Sequence, residues 1–174
     1  MAGKPGRPRS LTVDQIVRAA LDDGLTSFSM PSVARRVGVA HSALYRYVEN
    51  REALLVTAVD QALGTADWPS PDQPWDAMLR AVEHAVWTVC ERTSGLDRAS
   101  VNHAGAMAAW TRHLEPHTAA LVAQGFTTRD ADTVVGLVLR IALIGSAERD
   151  DTADATTRDA RLDVVLTGAA GLRS

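Results

Sequence analysis

The chain reads as an all-α protein, a small three-helix N-terminal head followed by a larger helical body. Three observations predict this. Apolar residues recur at helical spacing in successive stretches from Ile16 to Leu172. Turn signals separate those stretches: Gly24, Gly38, Gly64, the Trp68-to-Pro74 run and Gly125. Charge also divides the chain. Residues 1–51 hold eight basic and four acidic side chains, a net +4, so with the whole at −3 the remainder carries −7. At 174 residues there is room for one small head and one larger domain.

Residues 1–10 form a basic, flexible arm, too rich in Gly and Pro to fold alone. Its Gly6-Arg7-Pro8 core, with Arg9 following, suits an extended arginine entering an A·T-rich minor groove; a leader with no specific role is the alternative. The first helix starts at Thr12, with Gln15 completing a capping box, and buries Ile16, Ala19, Ala20 and Leu21 before Gly24 ends it. Ser29 caps a second helix with Pro31 in its first turn. Val33, Ala34 and Val37 share one face of that helix, Arg35 and Arg36 point away, and Gly38 closes it. A third helix, about His41 to Val48, turns Leu44 and Val48 inward and His41, Ser42, Tyr45 and Arg46 outward. Asn50 caps the next.

Two short helices about a glycine turn, the second crowded with polar and basic side chains, present a small helix to the major groove of DNA. An αα-hairpin inside an ordinary bundle has the same spacing. The basic head on an acidic body favours a phosphate-seeking role.

The run Val33-Ala34-x-x-Val37-Gly38-Val39, then Leu44-Tyr45-x-Tyr47-Val48-x-Asn50-Arg51-Glu52-x-Leu54-Leu55, resembles the DNA-binding head of the tetracycline-repressor (TetR) family. Two features depart from that pattern. Ala40 stands where the family has a capping serine, leaving Ser42 as the substitute cap, and the short link after Leu21 implies a first helix about one turn shorter. The resemblance implies that His41, Ser42 and Ala43 meet base edges, with Arg46 on guanine or phosphate. It places Tyr45, Tyr47, Ser29 and Arg51 on phosphates.

Residues 51–64 are predicted as a connecting helix. After the 68–74 loop, Trp75, Leu79, Val82, Val86 and Val89 repeat at helical spacing, with Met78 and Cys90 at the edges of that face. Ala104 to Trp110 is small and apolar, and Glu115-Pro116 opens a further helix that stops at Gly125. The longest helix starts at Thr127 or Thr128 and runs to about Glu148, apolar nearly all round and therefore buried on every side. An acidic loop precedes a last helix carrying Leu162, Val164, Val165, Leu166 and Leu172. A chain this small wraps both final helices most economically in a homodimer, as a four-helix bundle; burial within one monomer is the alternative.

The body resembles the tetracycline-repressor class more weakly, through Trp75-x-x-x-Leu79-Arg80 and Leu121-x-x-x-Gly125-Phe126. That likeness implies residues 65–174 as a ligand-binding and dimerisation domain beside the 11–50 head. Val82, Val86, Trp87, Cys90, Met107 and Trp110 would wall its pocket, with His103 or His84 as polar points. Val82 and Val86 stand where tetracycline repressors place an amide and an aromatic, so a small apolar or aromatic effector fits better than magnesium–tetracycline.

The single cysteine, Cys90, excludes an internal disulfide and suits a reducing cytoplasm. The apolar run near Val134 to Ile144 is too short to span a bilayer. His113, Glu115 and His117 lack further ligands and the order of a zinc protease, so no metal and no cofactor is expected. No nucleophile elbow, phosphate loop or framed carboxylate pair suggests an enzyme. These readings converge on a cytoplasmic transcription regulator, a repressor that binds a palindromic duplex operator as a dimer and is released by its effector. An architectural or nonspecific DNA binder, or a helical enzyme, is the alternative.

Overall fold

The computed structural model describes residues 11–148 and 155–173, and the described residues form nine helices and no strand. The expected arm residues Arg7 and Arg9 lie outside this range.

Local chemistry sets the helix ends of the head. Thr12 and Gln15 close a capping box on α1 (Val13–Asp23), and Ser29 and Ser32 do the same on α2 (Met30–Val37). Such caps contribute about 1 kcal/mol each. Gly38 lies in the left-handed region (φ 73°), with its own amide on the Arg35 carbonyl and the Val39 amide on the Ala34 carbonyl, 3.0 Å away. This crossed pair satisfies carbonyls that a plain helix end leaves open, at a backbone angle that favours glycine. In α1 Val17 joins Ile16, Ala19 and Ala20 in the core, whereas Leu21 is only half-buried.

The third helix is shorter than the sequence predicts. α3 is one turn, His41–Leu44, with no side-chain cap from Ala40 and none from Ser42. Beyond it the chain tightens, the amides of Arg46 and Tyr47 reaching back three residues to Ala43 and Leu44. Without a cap to satisfy its first amides, the turn is held by burial of Leu44 and Val48 beneath it.

α4 (Arg51–Gly64) starts at Asn50, whose side chain accepts from the Ala53 amide at 2.8 Å. It leads into α5 (Trp75–Arg92), a short α6 (Leu96–Val101) that the apolar pattern does not announce, and α7 (Ala104–Ala123). The expected break at Pro116 is absent, and α7 runs through it. Arg112 and Pro116 are both exposed, so the carbonyl that loses its partner lies on the water side of the helix. α8 (Thr128–Ala147), capped by Thr127, packs against α5, α6, α7 and α9 (Ala155–Ala170).

One continuous core joins head and body. α8 is not buried all round within one chain: Leu137 and Ile144 are each 44% exposed, with exposed Arg140 between them. On α9, Leu162, Leu166 and Ala169 face inward while Val164 is 74% exposed. Among the described residues no helix is long and apolar enough to cross a membrane.

Candidate nucleic-acid interface and its link to the body

The outward face of α3 is polar and anchored from below. Leu44 and Val48 are buried, and His41, Ser42, Tyr45, Arg46 and Tyr47 are exposed. His41 and Tyr45 act as a unit one turn apart, with Tyr45 Oη 3.3 Å from His41 Nε2 and the rings edge-on at 5.2 Å. Ala43, expected on the base-facing side, is half-buried and lines a cleft of about 660 Å³ between α1 and α3. Gln15, Arg18, Arg46 and Tyr47 line the same cleft. Arg18 is thus a cation beside the recognition turn that helical periodicity on α1 hides as an ordinary solvent-facing residue. Arg36, in contrast, is committed: its Nε donates to Asp23 Oδ1 at 2.7 Å, tying α2 to the end of α1.

Two other expected phosphate contacts have structural duties. The Ser29 hydroxyl accepts from the Ser32 amide at 3.2 Å. Arg51, though exposed, folds back on Phe28, its Nε donating to the Phe28 carbonyl at 3.1 Å and its guanidinium lying 4.4 Å from the Phe28 ring centroid. A sequence motif gives no sign of this, because Phe28 lies 23 residues away.

Asp23, at the end of α1, is a carboxylate held by its neighbours in the charged form. Hydrogen bonding from Ser32 and Arg36 holds its pKa below the ordinary value, against a smaller opposing effect of burial.

The head is tied to the body at several points. The Leu25 amide donates to the Ser94 carbonyl at 2.9 Å. His103, at the start of α7, lies 2.9 Å from Glu52 Oε1 on the first turn of α4. Two turns along, Asp60 accepts from Arg112 at 2.9 Å and stands 3.3 Å from His113 Nε2. Glu52 and Asp60 share one stripe of α4, so α7 grips that helix near both ends.

The expected effector residues lie in several different surroundings. Val82, Val86 and Trp110 are fully buried, and Trp110 Nε1 donates to Ser100 Oγ at 2.8 Å. Met107 is half-buried against the core and His103 is spent on Glu52. Cys90 borders a polar cleft with Asp97, Arg98 and Ser146, and Trp87 faces α9. His84 borders a separate cleft of about 350 Å³ against the 65–69 loop. Val82, Val86 and Trp110 are thus packed into the common core, an arrangement that apolar spacing alone does not distinguish from a cavity wall. His117, in the motif with His113 and Glu115, donates from Nε2 to the Pro69 carbonyl at 3.0 Å, with its ring 6.2 Å from that of Trp68.

An all-helical body carrying a capped helix-turn-helix head defines a class, the helix-turn-helix DNA-binding proteins. Residues 13–58 match the family model described as bacterial regulatory proteins, tetR family. The head thus carries the sequence signature of that family. It is 34% identical over 83 residues to the HTH-type transcriptional repressor DrrR1 of Streptomyces coeruleorubidus, a match covering 44% of this chain and 31% of that protein. The matched region thus spans about a third of that relative. Its fold is similar to that of the TetR family protein ActR of Streptomyces coelicolor, solved with (S)-DNPA, at TM-score 0.79 and 18% identity over 94% of this chain and 99% of that one. It is also similar to BioQ, solved with its double-stranded DNA operator, at TM-score 0.79 and 20% identity over 92% and 99% of the two chains.

Proposed function

We propose that this protein is a ligand-responsive transcription repressor that binds a palindromic duplex operator as a homodimer. Its head spans residues 11–50, its connecting helix 51–64 and its body 65–174. The observation that carries the reading is the exposed set His41, Ser42, Tyr45 and Arg46, mounted on buried Leu44 and Val48 in a helix-turn-helix. Such a face suits the major groove, with base contacts from its N-terminal end and phosphates at its flanks. Arg7 and Arg9 add positive charge to the head.

Dimerisation follows from the uncovered apolar residues. Leu137 and Ile144 on α8 and Val164 on α9 are exposed in one chain, and the two helices pack side by side. Gly136 and Gly168 have open space where a side chain would stand, so a second backbone can approach closely. Pairing α8 and α9 with their symmetry mates gives a four-helix bundle and sets two heads for half-sites one helical turn apart.

The effector is a small apolar or aromatic molecule entering between α5 and α7, near Val82, Val86, Met107 and Trp110. The BioQ–operator and ActR–ligand relatives support both partners, DNA and small molecule. Entry needs this packed region to open, and displacement of α7 pulls on Glu52 and Asp60 through His103, Arg112 and His113. Effector and DNA then weaken each other by the same factor.

Selection of bound duplexes from a random pool, with sedimentation of the same sample, tests the reading. An inverted repeat enriched by a dimer supports it. Enrichment of no sequence, or binding by a monomer, rejects it in favour of a nonspecific binder.

A further inference from the structure

Arg158 occupies a place built for a small cation. Its guanidinium carbon lies 4.6 Å from the centroid of the Trp87 ring, and its Nε is 3.3 Å from Glu83 Oε1. Glu83 is only 2% exposed, an unusual burial for a carboxylate. Neither Glu83 Oε1 nor Arg158 Nε makes a hydrogen bond, so the two charges meet without a directed contact. The ring is fixed from behind: Trp87 Nε1 donates to Glu91 Oε1 at 2.8 Å, and a side chain on Gly145 of α8 would stand 3.3 Å from its edge.

The aromatic face and the carboxylate therefore both belong to α5 and are held in place. The cation alone comes from elsewhere, near the start of α9, on a side chain that is one-fifth exposed. Burial raises the Glu83 pKa, with Arg158 and His84 opposing that shift and Asp159 adding to it. A buried carboxylate without a cation must otherwise take up a proton, so the site demands positive charge.

We propose that Glu83 and the face of Trp87 form a binding site for a flat organic cation, an amidinium, guanidinium or aromatic ammonium, which Arg158 occupies here as an internal stand-in. The ring face prefers a delocalised, weakly hydrated cation, and the carboxylate rejects a neutral molecule of the same shape. Each residue lies one position beyond Val82 and Val86, hence rotated by about 100° around α5. The site is separate from the proposed effector region and stands whether or not the head binds an operator. A free ligand competes with a tethered guanidinium, so its apparent affinity is the intrinsic affinity multiplied by the fraction of molecules in which Arg158 is unseated.

The test uses the full chain, with benzamidinium as probe and neutral benzamide as its isostere, binding being read by calorimetry. Arg158→Ala binds benzamidinium about tenfold or more tightly than the wild type and gains nothing for benzamide. Adding Glu83→Gln to that variant removes the gain. Where Arg158→Ala is unstable, millimolar methylguanidinium raises its melting temperature and leaves that of the wild type unchanged. Equal binding of benzamide and benzamidinium, a double variant that binds as tightly as Arg158→Ala, or no rescue by methylguanidinium overturns the proposal.

Discussion

The backbone amide of Leu25 donates to the carbonyl of Ser94 at 2.9 Å, joining the turn before α2 to the turn before α6. Head and body thus touch directly as well as through α4. The contact is close on both sides: Gly95 has φ 77°, and a Cβ there would lie 2.8 Å from Thr26 Oγ1 and 3.1 Å from the Thr26 amide nitrogen.

Gly95→Ala therefore meets both an unfavourable backbone angle and a crowded neighbour. We expect a loss of about 1–3 kcal/mol in urea unfolding. Hydrogen exchange at the Leu25 amide should accelerate more than at Val33, deep in α2. Unchanged exchange at Leu25 would show that the seam adjusts without opening.

On DNA, we expect the cleft beside α3 to separate general from specific contacts. Arg18→Ala should weaken binding about equally on all duplexes and lower the slope of log affinity against log salt by about 0.9, the value for one phosphate contact on B-form DNA. His41→Ala should relax preference at particular base pairs. Tyr45→Phe removes the hydroxyl within reach of His41, so it should shift base preference as well as affinity. Equal behaviour of Arg18→Ala and His41→Ala across a sequence library would place the recognition helix wrongly.

Arg51 gives a different pattern. Because it reaches the Phe28 carbonyl and ring, Arg51→Ala should destabilise the fold by about 1–3 kcal/mol as well as weaken DNA binding. Arg51→Lys keeps the charge but lacks the planar fork, and should recover only part of the stability. A purely phosphate-binding Arg51 would leave the urea midpoint of both variants at the wild-type value.

For the proposed dimer, Leu137→Glu with Val164→Glu places charge on both exposed apolar faces. Sedimentation should show a monomer with the helical content retained, since neither side chain is part of the single chain's core. A dimer of undiminished stability would locate the interface elsewhere.

The pH dependence of the head runs through Asp23. Its pKa is lowered in the folded state by Ser32 and Arg36, so its contribution is present above the unfolded value of about 4 and is lost as pH falls through the folded value. Asp23→Asn should lower stability at neutral pH and flatten the acid limb of the stability curve below pH ~4. An acid limb of wild-type steepness in Asp23→Asn would assign the transition to another carboxylate.

The sequence by itself determined what local chemistry controls. Thr12, Ser29, Asn50 and Thr127 announce helix starts because a cap needs only a side chain a few residues from its amide. Gly38 announces the turn because its backbone angle is local, and Leu44 and Val48 announce the inner face of α3 by their spacing. Only the tertiary structure decided the rest. The uninterrupted passage of α7 through Pro116 depends on which side of the helix meets water. The contact of Arg51 with Phe28, the Leu25–Ser94 seam and the burial of Trp110 join residues far apart in the chain. Periodicity shows that a residue faces inward and leaves unstated what it meets there, because the same apolar spacing serves a packed core and the wall of a cavity.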